Sequence, residues 1–295
     1  MKMLKRIGLF LLTNLLVIIT VGIILSILQG VFGISGSGIT GLAILCGVFG
    51  MVGAFISLAL SRIVAKSVYN IYVIEPDDPN FQYRELYNMV VRLSRQANLP
   101  SVPEVGIYQS PEPNAFATGP TKNRSIVAFS TGLLASMNKE EVEAVAGHEI
   151  SHIANGDMVT MTLLTGIANA LVMFLARIIA TVIDNALRGD DNEGGLGFFG
   201  YIMVVSLLET FFMLLASIPI AAFSRYREFR ADEGSAKLTS PRTMANALRA
   251  IARAAGMPTP KDSFAIAKIN SNRKVSLFST HPSIEDRIAR LEQMM

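Results

Sequence analysis

Asn138–Gly156, NKEEVEAVAGHEISHIANG, reads as one helix with both ends marked. Asn138 has the short polar side chain of an N-cap, Glu140 and Glu141 put negative charge in the first turn, and Gly156 is a ready C-terminal stop. Val142, Val145 and Ala146 share this helix with His148 and His152. Four positions apart, the two imidazoles stand on one face, one turn above the other. Glu149, beside the first of them, can reach a water held by a metal there without coordinating the metal itself. Zinc lowers the pKa of such a water to about 7, so a neighbouring carboxylate can take its proton at neutral pH and deliver hydroxide to a polarised carbonyl. The chemistry this pattern implies is peptide hydrolysis. The chain has three histidines, and two of them lie in this pattern.

Catalytic zinc usually takes three protein ligands and leaves one position for water, so a further donor must come from outside this helix. Ser224-Arg225-Tyr226-Arg227-Glu228-Phe229-Arg230-Ala231-Asp232 offers Glu228 with Asp232 four residues later on the same helical face. Such a pair lets the glutamate bind metal while the aspartate accepts a hydrogen bond from the free ring nitrogen of a histidine ligand, fixing its tautomer. Alone, a Glu-x-x-x-Asp in an arginine-rich stretch is the pattern of a solvated helix face. Coupled to His148 and His152, Glu228 becomes the leading third ligand, with Glu233 and His281 as the other candidates. Asp157, just past the histidine helix, reads either as another acid behind a ligand or as a polar residue at the helix end.

The composition places part of the chain in lipid. Apolar residues make up 51% of 295 residues, and the mean hydropathy of +0.43 is high for a soluble protein. No charge occurs from Ile7 to Leu28 or from Gly38 to Leu60, and each run exceeds the roughly 20 residues that cross about 30 Å of hydrocarbon as a helix. Lys2, Lys5 and Arg6 ahead of the first run resemble the start of a signal peptide. Its apolar core is far longer than usual, and no small-x-small cleavage site follows before the second run, so it reads as a retained span. Two later apolar segments, Val159 to Ile183 and Leu196 to Phe223, are interrupted by Arg177 and by Glu209 and Pro219. A charge at mid-membrane costs about 2.5 to 3.5 kcal/mol on insertion scales, which surrounding leucines, isoleucines and phenylalanines can offset. These two segments read as a transmembrane hairpin, with a buried hairpin inside the protein as the alternative. Glu209 is expected to face another helix or a polar cavity.

Positive residues orient the spans. Lys2, Lys5 and Arg6 precede the first, Arg62 and Lys66 follow the second, and Gln29 to Ser37 between them carries no charge. The N-terminus and the residues after Leu60 are therefore expected in the cytoplasm. Arg225, Arg227 and Arg230 after the fourth apolar run agree, and the acidic stretch Asp184 to Gly195 suits the opposite face. The net charge of +3 follows from this asymmetry, and no aromatic-basic interleaving suggests a nucleic-acid surface. The single cysteine, Cys46, falls inside the second span, which leaves no disulfide framework and no cysteine metal site.

The polar sequence falls into two stretches around the second membrane pair. The expected layout is 1–65 as two spans, 66–157 and 224–295 as the two parts of a catalytic domain, and 158–223 as a hairpin between them. In the first part, Phe81 to Leu99 has helical periodicity and stops at Pro100; Val105 to Tyr108, Ala115 to Thr118 and Ser125 to Phe129 read as strands of a small sheet. In the second, Pro241 to Ala255 and Ile284 to Leu291 read as helices, with Ser283 a cap for the latter.

With these residues in place, the chain resembles the HtpX-type membrane zinc proteases, relatives of the integral-membrane CAAX prenyl proteases and of soluble gluzincins. The resemblance runs over nearly the whole chain: two N-terminal spans, His148-Glu149-Ile150-Ser151-His152, the hairpin, and Arg225-Tyr226-Arg227-Glu228-Phe229-Arg230-Ala231-Asp232. It implies an α+β, mainly helical integral membrane protein with about four transmembrane helices and a cytoplasmic zincin-like catalytic domain carrying a small β-sheet. It also implies one zinc ion per chain on His148, His152 and Glu228, Glu149 as general base and then proton donor, and Asp232 behind a histidine. The bacterial inner membrane is the implied location, with damaged or misassembled membrane proteins and unfolded polypeptides as substrates. By the same resemblance, Asn114-Ala115-Phe116 matches an edge strand that binds substrate backbone, and Thr280-His281-Pro282 with Arg287 matches a pair placed to stabilise the oxyanion. A charged donor there is worth about 3 kcal/mol. On their own residues, Asn114 after Pro113 reads equally as a turn, His281 before Pro282 as a helix start, and Arg287 as a surface cation.

Two other classes fit parts of the sequence: a CAAX-type processing protease, and a non-catalytic zinc-containing membrane scaffold. Glu149 argues against the scaffold, since a purely structural site has no use for a base beside an open coordination position. The four expected spans are few for the large intramembrane chamber of the CAAX class. Self-cleavage is an expected side reaction of a protease concentrated with its own copies in a membrane.

Overall fold

The computed structural model describes residues 15–17, 19–27, 30, 38–188, 194–254 and 277–295. These form two compact units: Leu58–Thr160 with Ala221–Met295, and, from the other parts of the chain, Arg6–Ser57 with Met161–Ile220. Much of the first expected span, Ile7 to Leu28, lies outside the described residues, as do the uncharged loop after it, the centre of the acidic loop and Ala255.

In the second unit the architecture follows from apolar length. Three helices, α1 (Gly38–Tyr69), α5 (Asp157–Leu187) and α6 (Gly197–Leu238), are long and apolar enough to cross a membrane, and a shorter apolar helix covers Leu15–Ile27. On α5, Leu163, Ile167, Leu171 and Leu175 are exposed at four-residue spacing; on α6, Met203, Leu207, Phe211 and Leu215 repeat the pattern. A stripe of that size facing water would be strongly unfavourable, whereas hydrocarbon accepts it. The two charges that interrupt these segments meet: Arg177 Nη1 lies 2.6 Å from Glu209 Oε1. Glu209 also borders a cavity of about 770 Å³ shared with Gly50, Asn169, Thr210 and Ser217. At Gly50, α1 and α5 approach so closely that a Cβ would meet the backbone nitrogen of Ala170 at 2.6 Å.

The first unit holds a four-stranded sheet in the order β1-β2-β4-β3, with β1 Tyr72–Val73, β2 Glu104–Tyr108, β3 Ala115–Thr121 and β4 Arg124–Ser130. Three strands were legible as short β-branched and aromatic runs. The fourth, β1, was missed in the sequence although Ile71-Tyr72-Val73-Ile74 is itself β-branched and aromatic; it pairs antiparallel with β2 where the chain leaving α1 passes that edge. β2 and β4 are parallel, β4 and β3 antiparallel, leaving β3 as the other edge.

Helix α2 (Phe81–Gln96) turns Leu86, Met89, Val90 and Leu93 inward at positions i, i+3, i+4 and i+7. It ends at Ala97 and the left-handed Asn98, before Pro100 is reached. The short α3 (Thr131–Ser136) leads into α4 (Lys139–Asn155), followed by α7 (Pro241–Ala254) and α8 (Ile284–Glu292) after the end of α6. Their shared core includes Leu93, Val127, Phe129, Ile150, Ile153, Met244 and Leu248. Burying each such side chain contributes about 1.5 to 3 kcal/mol. Helix α4 packs against α2, β3, β4 and α7, so it is enclosed along most of its length.

Candidate metal centre

Local chemistry fixes both ends of α4. Asn138 Oδ1 accepts from the Glu141 backbone nitrogen at 2.9 Å, and Glu141 Oε2 accepts in return from the Asn138 nitrogen at 3.0 Å, a reciprocal cap that satisfies two otherwise orphaned donors. At the other end Gly156 adopts φ 70°, a conformation glycine reaches without steric cost. The reversal at Gly156 returns the next side chain to the helix just ended. Asp157 Oδ2 lies 2.7 Å from Nδ1 of His152, and the Asp157 side chain is almost wholly buried.

Helix α6 supplies the remaining acids. It crosses α4 where Gly147 and Ser151 face Gly234 and Ser235; a Cβ on Gly234 would collide with the Ser151 hydroxyl. Ser235 Oγ donates to the Ala144 carbonyl at 2.6 Å across the same crossing. This close approach brings Glu228 and Asp232 to the histidines. Asp232 Oδ1 is 2.9 Å from His148 Nδ1, while Glu228 presents Oε2 at 3.6 Å to His148 Nε2 and Oε1 at 3.3 Å to His152 Nε2.

The donor set fits a metal ion. His148, His152 and Glu228 each offer one ligand atom, all within 4.8 Å of one another. Both Nδ1 atoms face carboxylates, which leaves the two Nε2 lone pairs, 3.1 Å apart, converging with the Glu228 carboxylate. Three acceptors meeting in a buried place call for positive charge at their centre. The titration of the cluster expresses the same demand. Burial pushes the His148 imidazolium down, but hydrogen bonds to Asp232 and Glu228 outweigh it and raise the pKa to about 9. His152 moves up as well: burial opposes the shift and is outweighed by Asp157 and Glu228. Glu228 is held far below the usual carboxylate range, because its contacts with His148, His152 and His281 overcome burial.

Glu149 lies on α4 between the two histidines, largely buried, and no described side chain hydrogen-bonds its carboxylate. Arg287 and His281 both reach the cluster, in different ways. Arg287, 11% exposed in its side chain, grips Asp232 with Nε at 2.7 Å and Nη2 at 2.6 Å, with Nη1 3.7 Å from Glu228. It is thus a buried cation rather than a surface one. His281 is 67% exposed in its side chain and places Nδ1 3.0 Å from Glu228 Oε2. Glu233 turns away and pairs with Arg290 at 2.7 Å.

Asn114 precedes edge strand β3, with its nitrogen on Ser130 Oγ at 2.9 Å and its carbonyl accepting from the Ser130 nitrogen at 2.9 Å. Ala115 and Phe116 are the first residues of β3 and pair with Phe129 and Ala128 of β4; α4 packs beside the strand. Phe116 stacks with Tyr69 and Tyr108 at centroid distances of 5.2 and 5.6 Å.

Sequence reading missed the residues that bring these elements together. Gly147, Ser151, Gly234 and Ser235 were legible only as small residues at four-residue spacing or in neighbouring pairs. Their role depends on α4 and α6 meeting, across about eighty intervening residues.

Comparison with known proteins gives the chain a family and a likeness of fold. The model of peptidase family M48 matches residues 80–295. The chain is 49% identical to Protease HtpX of Aeromonas hydrophila over 290 residues, covering 97% of this chain and 99% of that protein. It is 45% identical to the Protease HtpX homolog of Bacillus subtilis over 301 residues, covering 98% and 99%. The crystal structure of S. mikatae Ste24p superposes with a TM-score of 0.63 at 18% identity, over 97% of this chain and 66% of that one, a likeness of fold. With its converging histidines and glutamate lying inside the matched residues, the chain belongs to peptidase family M48.

Proposed function

We propose that this membrane protein is a zinc metalloendopeptidase that hydrolyses peptide bonds of misfolded or damaged membrane proteins on the cytoplasmic side of a bacterial inner membrane. The observation that carries the reading is the convergence of His148, His152 and Glu228 within 4.8 Å of one another, with Glu149 next to His148 on a helix enclosed by the core of its unit. Zinc bound there supplies Lewis acidity, polarising a substrate carbonyl and acidifying a water. Glu149 accepts the proton of the attacking water and passes it to the leaving amine nitrogen. Asp232 and Asp157 hold the ligand rings in the tautomer that directs Nε2 inward. Arg287 keeps Asp232 ionised and in place, since its two hydrogen bonds lower the Asp232 pKa against the effect of burial. His281, the exposed member of the pair, faces Glu228 through Nδ1, which leaves Nε2 as the nitrogen that would donate to the developing oxyanion. Edge strand β3, which begins just after Asn114 with Ala115 and Phe116, offers its outer side to an extended substrate, binding that depends little on substrate sequence, while Asn114 anchors the start of the strand through both its backbone groups to Ser130.

The cytoplasmic placement rests on the lysines and arginines around the spans, and the quality-control role on kinship with the HtpX proteins. The likeness to Ste24p concerns the backbone and carries no substrate with it. The test is cleavage of an unfolded membrane protein by the zinc-loaded enzyme in detergent. Glu149→Gln should abolish turnover while retaining the metal; equal proteolysis by that variant would overturn the assignment.

A further inference from the structure

His281 reaches Glu228 although two thirds of its side chain is exposed, so packing does not hold the ring in place. The backbone that carries it is tied down instead. Arg225 lies three residues before Glu228 on α6, on the same side of the helix. Its Nη1 donates to the carbonyl of Ser279 at 2.6 Å and to that of Leu277 at 3.3 Å. Ser279 Oγ then donates to the carbonyl of His281 itself at 2.7 Å. On the other side of His281, Pro282 is buried and Ser283 caps α8 by accepting from the Asp286 nitrogen at 3.0 Å. The imidazole is thus held between two anchors, and one of them is an arginine on the turn of helix that presents the third ligand.

We propose that Arg225 is a positioning residue for His281, setting the distance between that imidazole and the metal centre by clamping the Leu277–Ser279 backbone. The proposal rests on the role given above to His281. One terminal guanidinium nitrogen carries two hydrogens and serves two carbonyls, and the charge strengthens both bonds. A lysine ammonium can make such bonds but lacks the planar fork that fixes their direction. Loss of the clamp removes one of the two anchors that hold His281 in place. Misplacing a catalytic group by about 1 Å can cost on the order of 100-fold in rate.

The experiment compares Arg225→Ala, Arg225→Lys, His281→Ala and the Arg225→Ala/His281→Ala double variant as purified, zinc-loaded protein, reading kcat, KM and metal content. Arg225→Ala should lower kcat by about 10- to 100-fold with KM nearly unchanged and metal content unchanged. Arg225→Lys should recover part of the loss. In the His281→Ala background Arg225→Ala should add no further loss, because the residue it positions is gone. Losses that multiply in the double variant would overturn the positioning role while leaving His281 as a catalytic group. Metal lost from Arg225→Ala would also overturn it, by showing that Arg225 acts through Glu228. Wild-type kcat in His281→Ala would overturn the reading of His281, and the proposal with it.

Discussion

Asp157 holds Nδ1 of His152 at 2.7 Å from five residues further along the chain, across the left-handed turn at Gly156. A helix that ran on without that turn would carry residue 157 past the ring. The glycine therefore converts the end of one helix into the support of a ligand on it.

Replacing that support should weaken metal binding without abolishing the fold. In Asp157→Asn the side chain keeps its shape but loses the charge that holds the His152 tautomer. Metal affinity is expected to fall by about 10- to 100-fold, the usual cost of losing such a partner. A competitive titration with a chromophoric chelator measures it; an unchanged dissociation constant would show that Asp157 is merely a helix-end residue.

Gly234→Ala should destabilise the catalytic unit, since its methyl group runs into Ser151 on the facing helix. Overpacking of this kind costs about 1 to 3 kcal/mol. Thermal unfolding in detergent should show a lower midpoint and earlier loss of metal. Gly47→Ala is the control, because nothing lies within 4 Å of a Cβ there. Equal midpoints for the two variants would contradict the close crossing of α4 and α6.

The Arg177–Glu209 pair tests the membrane unit by itself. Removing one member leaves the other charged among apolar helices, at about 2.5 to 3.5 kcal/mol on insertion scales. Arg177→Leu and Glu209→Leu should each reduce the folded protein recovered from membranes, and the double variant should recover better than either. Singles and double that behave alike would mean that the pair contributes nothing to folding.

Orientation is open to a direct check. Reporter fusions after Asp190 should report the side opposite the cytoplasm, and fusions at Met295 the cytoplasm. A cytoplasmic signal at Asp190 would show that α5 and the apolar part of α6 do not cross as a hairpin.

Several features were legible because their physics is local. The cap at Asn138, the stop at Gly156 and the shared face of His148 and His152 each depend on residues within one or two turns, and α4 forms as read. Apolar length likewise predicts α1, α5 and α6 wherever they end up in three dimensions. Even Glu228 could be nominated, because a metal needs a third donor and Glu228 with Asp232 makes a local pair.

Contacts between distant segments were not legible in the same way. Arg287 read equally as a surface cation, and only the packing of α8 buries it against Asp232, 55 residues away. Arg177 and Glu209 appeared as two separate interruptions until the fold paired them. The sequence by itself determined the capped ends of α4, the presence of the long apolar helices and the inventory of metal-binding side chains, since these follow from capping, composition and periodicity, whereas α1 and α6 run on to Tyr69 and Leu238, past the apolar runs that stop at Leu60 and Phe223. Tertiary structure alone decided which acid supports which histidine, where His281 is seated and which strand remains an edge. Those outcomes depend on the close approach of α4 and α6 at their small residues and on the path of the chain between them.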